Sequence, residues 1–174
     1  MALAISGTGN AATWDLDPAH TNVQFGVRHL MVSTVRGSFR TVSGVANIDE
    51  TDPTKSSIEV TIDAASIDTR DAKRDDHLRG ADFFDVAKHP TITFRSKKVT
   101  NQGDGTFQVT GDLTIRGVTK AVVLDVEGSA KPIADPFGNV KLGGVARTKI
   151  NRQDFGISYS KMLDNGGLVI GDTV

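Results

Sequence analysis

Residues 107–126 read FQVTGDLTIRGVTKAVVLDV, and this stretch decides the fold class. Apolar residues recur at alternate positions in both halves, and mostly polar residues stand between them. Side chains of a strand point alternately to two faces, so this period places one face against an apolar interior and the other in water. Arg116 and Gly117 divide the two halves and are predicted to bend a long pair of strands.

The same period recurs in residues 21–28, 58–62, and 91–95. Parallel strands are usually apolar on both faces, so alternation favours an antiparallel sheet. Turn sequences separate the runs, with NQGDG at 101–105 and DPFG at 135–138. Because closure removes exposed sheet edges, we predict an all-β protein built as an extended antiparallel barrel of about eight strands.

One stretch breaks the pattern: residues 69–79 read TRDAKRDDHLR and precede Gly80. It predicts one short, mostly solvated helical insertion, in which Asp75 and Arg79 have the spacing of a helical ion pair and Gly80 ends the helix. Phe83 and Phe84 follow. Two adjacent aromatic residues predict a segment that docks on an apolar surface.

Composition excludes several classes of function. The 174 residues carry 20 Lys plus Arg against 21 Asp plus Glu, so the surplus of cations that nucleic-acid binding needs is missing. The chain has no Cys, which excludes disulfides and thiolate chemistry. No stretch approaches the roughly 20 apolar residues of a transmembrane segment. Residues 1–10 lack the features of a signal peptide, so we expect a cytoplasmic protein, or a periplasmic one if a leader was removed.

Four groups of residues, in the correct order, resemble the signatures of the YceI family. They are DPAHTNVQFGVRHL at 17–30 with VRGSF at 35–39; IDT at 67–69, RDDHLR at 74–79, DFFD at 82–85 and HP at 89–90; GDLTIRGVTK at 111–120; and RQDFG at 152–156. The resemblance runs from about Trp14 to the C-terminus. We therefore expect residues 1–12 to be a flexible N-terminal extension and residues 13–174 to be a single YceI-like barrel domain.

The resemblance implies a lipocalin-like fold and a function. The expected ligand is a long isoprenoid-type lipid, either a polyprenyl chain or a quinone, which the protein binds, stores or transports in an apolar channel inside the barrel. No catalytic residue, metal or cofactor is implied, apart from the lipid or quinone as ligand. The resemblance is also compatible with a homodimer.

Strand parity and the resemblance together predict the residues that contact the ligand. They are Phe25, Val27, His29, Val60, Ile62, Leu78, Phe83, Phe84, Phe94, Val109, Leu113, Leu124 and Val126. Eight Phe beside one Trp and one Tyr favour a tube for an apolar chain over a sugar site. Two alternatives stay open: a packed barrel that serves as a structural or interaction module without ligand, and an enzyme acting on an isoprenoid lipid within the barrel.

The polar residues of the signatures leave further alternatives. His20 and His29 either hold the first strand by hydrogen bonds or contact a ligand head group. Arg79 either joins ion pairs on the helix or reaches a pyrophosphate at the channel mouth, since the guanidinium fork suits phosphate oxygens. The spacing of the histidines matches no metal-binding motif.

Overall fold

The computed structural model describes residues 2–5, 11–128, 132–162 and 168–174. Among them are one α-helix, α1 (Ala72–Arg79), and short 3-10 turns at Pro53–Lys55, Ala64–Ser66 and Arg152–Phe155. The strands are β1 (Ala2–Ile5), β2 (Ala11–Leu16), β3 (Val23–His29), β4 (Ser33–Phe39), β5 (Val42–Asp49), β6 (Ser57–Asp63), β7 (Ile67–Asp68), β8 (Thr91–Gly103), β9 (Thr106–Ile115), β10 (Val118–Gly128), β11 (Ile133–Ala134) and β12 (Val140–Arg147).

Eight of these strands form the wall of an antiparallel barrel. Their order is β1-β2-β5-β6-β8-β9-β10-β12, and β1 also pairs with β12, so that backbone pairing returns to its starting strand. The short β11 pairs with β12 beside this wall. The predicted all-β, lipocalin-like antiparallel barrel of about eight strands with one short helix is confirmed.

The stretch 107–126 forms the hairpin of β9 and β10. The sequence predicted that Arg116 and Gly117 bend a long pair of strands, and this is wrong. They form the two-residue connection between Ile115 and Val118. Both have positive φ, 51° and 73°, which is the backbone of the turns that join twisted antiparallel strands tightly. A side chain at Gly117 would also meet the ring of His89 at 2.9 Å, so glycine is required twice over.

The N-terminal residues differ from the expected extension. Ala2–Ile5 form β1, which lies between β2 and β12 in the barrel wall. Ala11 and Ala12 begin β2, where they pair with Asp49 and Ile48. Residues 1 and 6–10 of the predicted extension lie outside the described residues.

A second sheet, of β3, β4 and β7, packs against the barrel together with the segment after α1. Phe39 of β4 connects the second sheet to the segment after α1, since its ring centroid lies 5.7 Å from that of Phe25 in β3 and 5.7 Å from that of Phe84. Phe83 is buried and contacts the rings of His77 and Tyr159. The prediction that Phe83 and Phe84 dock on an apolar surface is therefore confirmed.

The helix occupies Ala72–Arg79 of the predicted stretch 69–79, and the Asp71 carboxylate before it accepts a hydrogen bond from the Arg74 N–H. The predicted pair of Asp75 and Arg79 is wrong. Asp75 is buried and accepts hydrogen bonds from the N–H and hydroxyl of Thr69, at 2.9 and 2.5 Å. Gly80 ends the helix with φ of −71°, so it is not a left-handed cap. None of the described residues form a helix with the length and hydropathy of a membrane span.

Arg152 is the most heavily bonded buried side chain among the described residues. It is 5% exposed, and its guanidinium donates five hydrogen bonds of 2.7–3.3 Å. The acceptors are the carbonyl oxygens of Ile157, Tyr159, Ile170 and Gly171 and the carboxylate of Asp172. Because these carbonyls belong to irregular chain, the arginine replaces the partners that a sheet would have supplied.

Replacing Arg152 by Met keeps an apolar stem and removes all five donors. We expect a loss of at least about 3 kcal/mol in the free energy of unfolding, measured by urea titration, because buried acceptors and the Asp172 carboxylate lose their partner. The control is Arg147→Met. Arg147 is exposed and pairs with Glu127, so its loss should cost less than about 1 kcal/mol. Equal effects of the two changes would contradict the structural role of Arg152.

An ion pair connects the end of β2 to β12 across the intervening strand β1. The carboxylate of Asp17 accepts hydrogen bonds from the Lys141 ammonium and from the His20 ring, both at 2.9 Å. The Lys141 ammonium, and after it the His20 ring, holds the pKa of Asp17 well below its ordinary value. Of the two roles that the sequence left open for His20, the structure shows the hydrogen-bonding one, with Asp17 as its partner.

The lowered pKa of Asp17 makes stability depend on pH in one direction. The ion pair stabilises the folded state only when Asp17 is ionised. Its contribution to the free energy of unfolding is therefore complete above about pH 4 and is lost as the pH falls below the ordinary carboxyl pKa. Urea unfolding from pH 7 to pH 3 should show a shallower acid-side loss for Asp17→Asn than for the unaltered protein. Identical acid-side slopes for the two proteins would refute the ion pair.

Candidate functional site

An apolar patch lines the inside of the barrel on neighbouring strands. Strand pairing brings Val60, Phe94 and Leu113 into one cross-strand row, and Val109 lies opposite Leu124 in the next pair of strands. We call this surface the inner patch. Its members are Ile58, Val60, Phe94, Val99, Phe107, Val109, Leu113, Val122, Leu124 and Val126.

Burial divides the inner patch. Phe94 and Val109 are each 7% exposed, as in a packed core. Leu113, Leu124 and Val126 are only partly buried, although they point inward and pack against those two residues. Interiors are close-packed, and a filled one would remove such side chains from solvent almost completely. The inner patch therefore keeps apolar surface that no other side chain covers.

Glycine makes room for one of the two phenylalanine rings of the patch. Gly111 faces inward on β9, and a Cβ atom there would lie 2.6 Å from the Phe94 ring. The Phe94 ring thus packs directly against the backbone of β9 at Gly111.

The other part of the interior is packed. Trp14 is fully buried, and Phe155 is 2% exposed. Both belong to a large core cluster that also includes side chains from the second sheet and from α1. Among the described residues, the indole N–H of Trp14 finds no hydrogen-bond partner. Sequence reasoning missed both residues as core members, although Trp14 stands in the alternating run ATWDL of β2.

A groove of about 430 Å³ opens beside β10. β10 pairs with β12 through Asp125–Gly128, while its earlier residues face residues 148–155 instead of a paired strand. The core side chains Val122, Ile150 and Phe155 line the groove together with the exposed Lys120 and Lys149. The groove therefore places Val122, a member of the inner patch, beside solvent.

The structure separates the predicted ligand-contacting residues into groups. The inner patch contains Val60, Phe94, Val109, Leu113, Leu124 and Val126. The larger core cluster contains Phe25, Ile62, Leu78, Phe83 and Phe84, and Val60 and Leu113 touch it too. The remaining two, Val27 and His29, lie on β3 in the second sheet, outside the barrel wall.

The polar residues of the site region act on the protein itself. Arg79 donates to the carbonyl oxygens of Ala65 and Ile67, at 2.8 and 3.0 Å, and pairs with Asp76 at 2.9 Å. Three donors of its fork are therefore used within the protein, in agreement with the ion-pair alternative for Arg79. Within the described residues, no three side chains of His, Asp or Glu come together as metal ligands.

Comparison with known proteins agrees with this architecture. A family model described as YceI-like domain matches residues 14–174. A UPF0312 protein of Vibrio campbellii is 38% identical over 161 residues, which cover 90% of this chain and 84% of the relative.

Two solved structures share the fold. BcnA of Burkholderia cenocepacia has a TM-score of 0.76 at 28% identity, covering 90% of this chain and 92% of its own. A polyisoprenoid binding domain from Saccharophagus degradans has a TM-score of 0.53 at 15% identity, covering 79% and 77%. The signatures, the barrel and the family model agree, and the chain belongs to the YceI-like family.

Proposed function

We propose that this protein binds a long isoprenoid-type lipid, a polyprenyl chain or the tail of a quinone, along the inner patch, and that it stores or transports this lipid without changing it. The family and the fold support the proposal, since a neighbour of the same fold is named as a polyisoprenoid binding domain. The observation that carries it is the partial exposure of inward apolar side chains, with Leu113, Leu124 and Val126 at its centre.

Burial of hydrocarbon supplies the affinity in this proposal. Each methylene that leaves water contributes about 0.8 kcal/mol, so a few isoprene units provide enough free energy for firm binding. The side chains that make up the inner patch are apolar, and Lys120 stands opposite Leu113 at its edge. The inner patch therefore selects for an apolar chain by shape and length, and no polar contact along the chain is required.

The groove beside β10 is the entry in this proposal. Its core end reaches Val122, a member of the inner patch, so a tail that enters there arrives directly at the site. Lys120 and Lys149 stand at the solvent side of the groove. A polar head group would stay beside these two cations, where water still reaches it.

The non-catalytic part of the proposal rests on what the polar signature residues do. Arg74, Arg79, Arg116 and Arg152 all donate to oxygens of the protein chain. His20 binds Asp17 on the surface. The groups that would have to converge on a reacting atom are thus used in holding irregular segments.

The direct test is native mass spectrometry of the purified protein mixed with a polyprenol or with a quinone that carries an isoprenoid tail. We expect a one-to-one complex with at least one of them, and organic extraction should return the lipid with unaltered mass. A protein that takes up neither lipid would overturn the proposal. Return of a chemically altered lipid would favour the enzyme alternative.

A single substitution separates the open inner patch from a packed barrel. Leu124→Trp adds volume on the inner face, where partial exposure indicates free space. We expect isoprenoid binding to fall at least about tenfold by native mass spectrometry, because the indole occupies room that the chain needs. The midpoint of thermal unfolding should stay nearly unchanged.

The matched control is Val45→Trp on β5. Val45 faces outward opposite Glu59, is 37% exposed and lies away from the groove, so this variant should bind lipid as before. In a filled interior, Leu124→Trp would instead cost about 1–3 kcal/mol through overpacking. A large loss of stability for that variant would therefore support the structural module without ligand.

A further inference from the structure

The hairpin of β3 and β4 ends in three exposed apolar side chains. Leu30, Met31 and Val32 are 40%, 60% and 78% exposed. Met162, which is 74% exposed, lies in a neighbouring segment of the same chain. The Leu30 N–H donates to the Val169 carbonyl, and the Val169 N–H donates to the carbonyl of Lys161, next to Met162. We call Leu30, Met31, Val32 and Met162 the apolar tip.

The backbone of the apolar tip has an uncommon conformation. Leu30 and Met31 both have positive φ, 52° and 61°, and the Val32 N–H donates to the His29 carbonyl at 3.2 Å to close the turn. Two successive residues of this kind form the turn for which Asn-Gly is the preferred sequence. Leu and Met are strained there, and local stability does not explain their presence.

The turn is held in place. The Arg28 guanidinium donates to the Met31 carbonyl at 2.6 Å and to the Thr34 hydroxyl at 3.3 Å. The Ser33 hydroxyl donates to the His29 carbonyl. The apolar side chains are therefore presented to solvent by a fixed backbone.

Cations stand behind the apolar side chains. Arg28 and Arg36 share the outer face of the hairpin, since Arg28 pairs with Thr34 and Arg36 with Gly26. Both are exposed, as is Lys161 beside Met162. Apolar side chains in front with cationic ones behind match the depth profile of a membrane surface, in which anionic head groups overlie hydrocarbon.

We propose that the apolar tip docks on the surface of a lipid bilayer that carries anionic phospholipids. Leu30, Met31, Val32 and Met162 enter the boundary between head groups and acyl chains, and Arg28, Arg36 and Lys161 contact the lipid phosphates. This role rests on the proposed function, because a protein that exchanges an isoprenoid lipid has to meet the membrane in which the lipid dissolves.

The test uses the double variant Leu30→Asn and Met31→Gly, which gives the turn its preferred residues. Flotation with vesicles of phosphatidylcholine mixed with phosphatidylglycerol should recover the unaltered protein. The affinity of the double variant for these vesicles should be lower by at least about tenfold. Its midpoint of thermal unfolding should be equal or higher, because the strain at both residues is relieved. Loss of binding through unfolding is thereby distinguished from loss of the docking surface.

Two controls accompany the double variant. Phe137→Asn removes a side chain that is 89% exposed on the turn between β11 and β12, and it should leave vesicle binding unchanged. Arg36→Ala should weaken binding to the mixed vesicles, with no further effect on vesicles of phosphatidylcholine alone.

Three outcomes would overturn the proposal: no flotation of the unaltered protein with mixed vesicles, equal flotation of the double variant, or equal weakening by Phe137→Asn. A double variant that changes the oligomeric mass in light scattering and floats as before would identify the tip as a contact between copies. Isoprenoid uptake in solution tests the proposed function separately. The double variant should still take up the lipid in solution. If the unaltered protein binds vesicles and takes up no isoprenoid lipid, the proposed function alone is overturned.

Discussion

The rest of the structure depends on the saturation of one buried guanidinium. Arg152 donates to four backbone carbonyls and one carboxylate, and so joins its own 3-10 turn to residues 157–159 and 170–172. The second of these segments meets the end of β3, where Ile170 pairs with His29. A buried cation is costly unless every donor is paired, so this arrangement admits little variation. Arg152 thereby fixes the segment that meets the second sheet at the end of β3.

The same chemistry recurs at the other arginines of the signature segments. Arg74 binds the hydroxyl and carbonyl of Thr69, Arg79 binds two carbonyls before α1, and Arg116 reaches the carbonyl of Ala81 from the β9–β10 turn. Each guanidinium supplies at least one donor to chain that lies outside the regular strands, and Arg79 also binds Ile67 at the start of β7. These arginines therefore support the barrel through hydrogen bonds to the chain. The inner patch, by contrast, consists of apolar side chains.

The apolar interior is divided between a packed part and an open part. Trp14 and Phe155 fill one part of the interior, whereas Leu113 and Leu124 lie in the other with part of their surface uncovered. Fully buried and partly exposed apolar side chains thus occupy different regions of one molecule. The packed region supplies the burial that stabilises the fold, whereas in the other region apolar area stays uncovered. The groove beside β10 lies where the two regions meet, since Phe155 and Val122 both line it.

The sequence by itself determined the antiparallel barrel, its short helix and the inward direction of Val109, Leu113 and Leu124. It could do so because the alternation of side chains is a local property of a strand. Only the tertiary structure decided that β3, with Phe25, Val27 and His29, belongs to a second sheet, that Asp75 turns inward to Thr69, and which inner side chains stay partly exposed. Each of these depends on what lies opposite in space, and pairing between distant segments is set by packing and burial that no local period records.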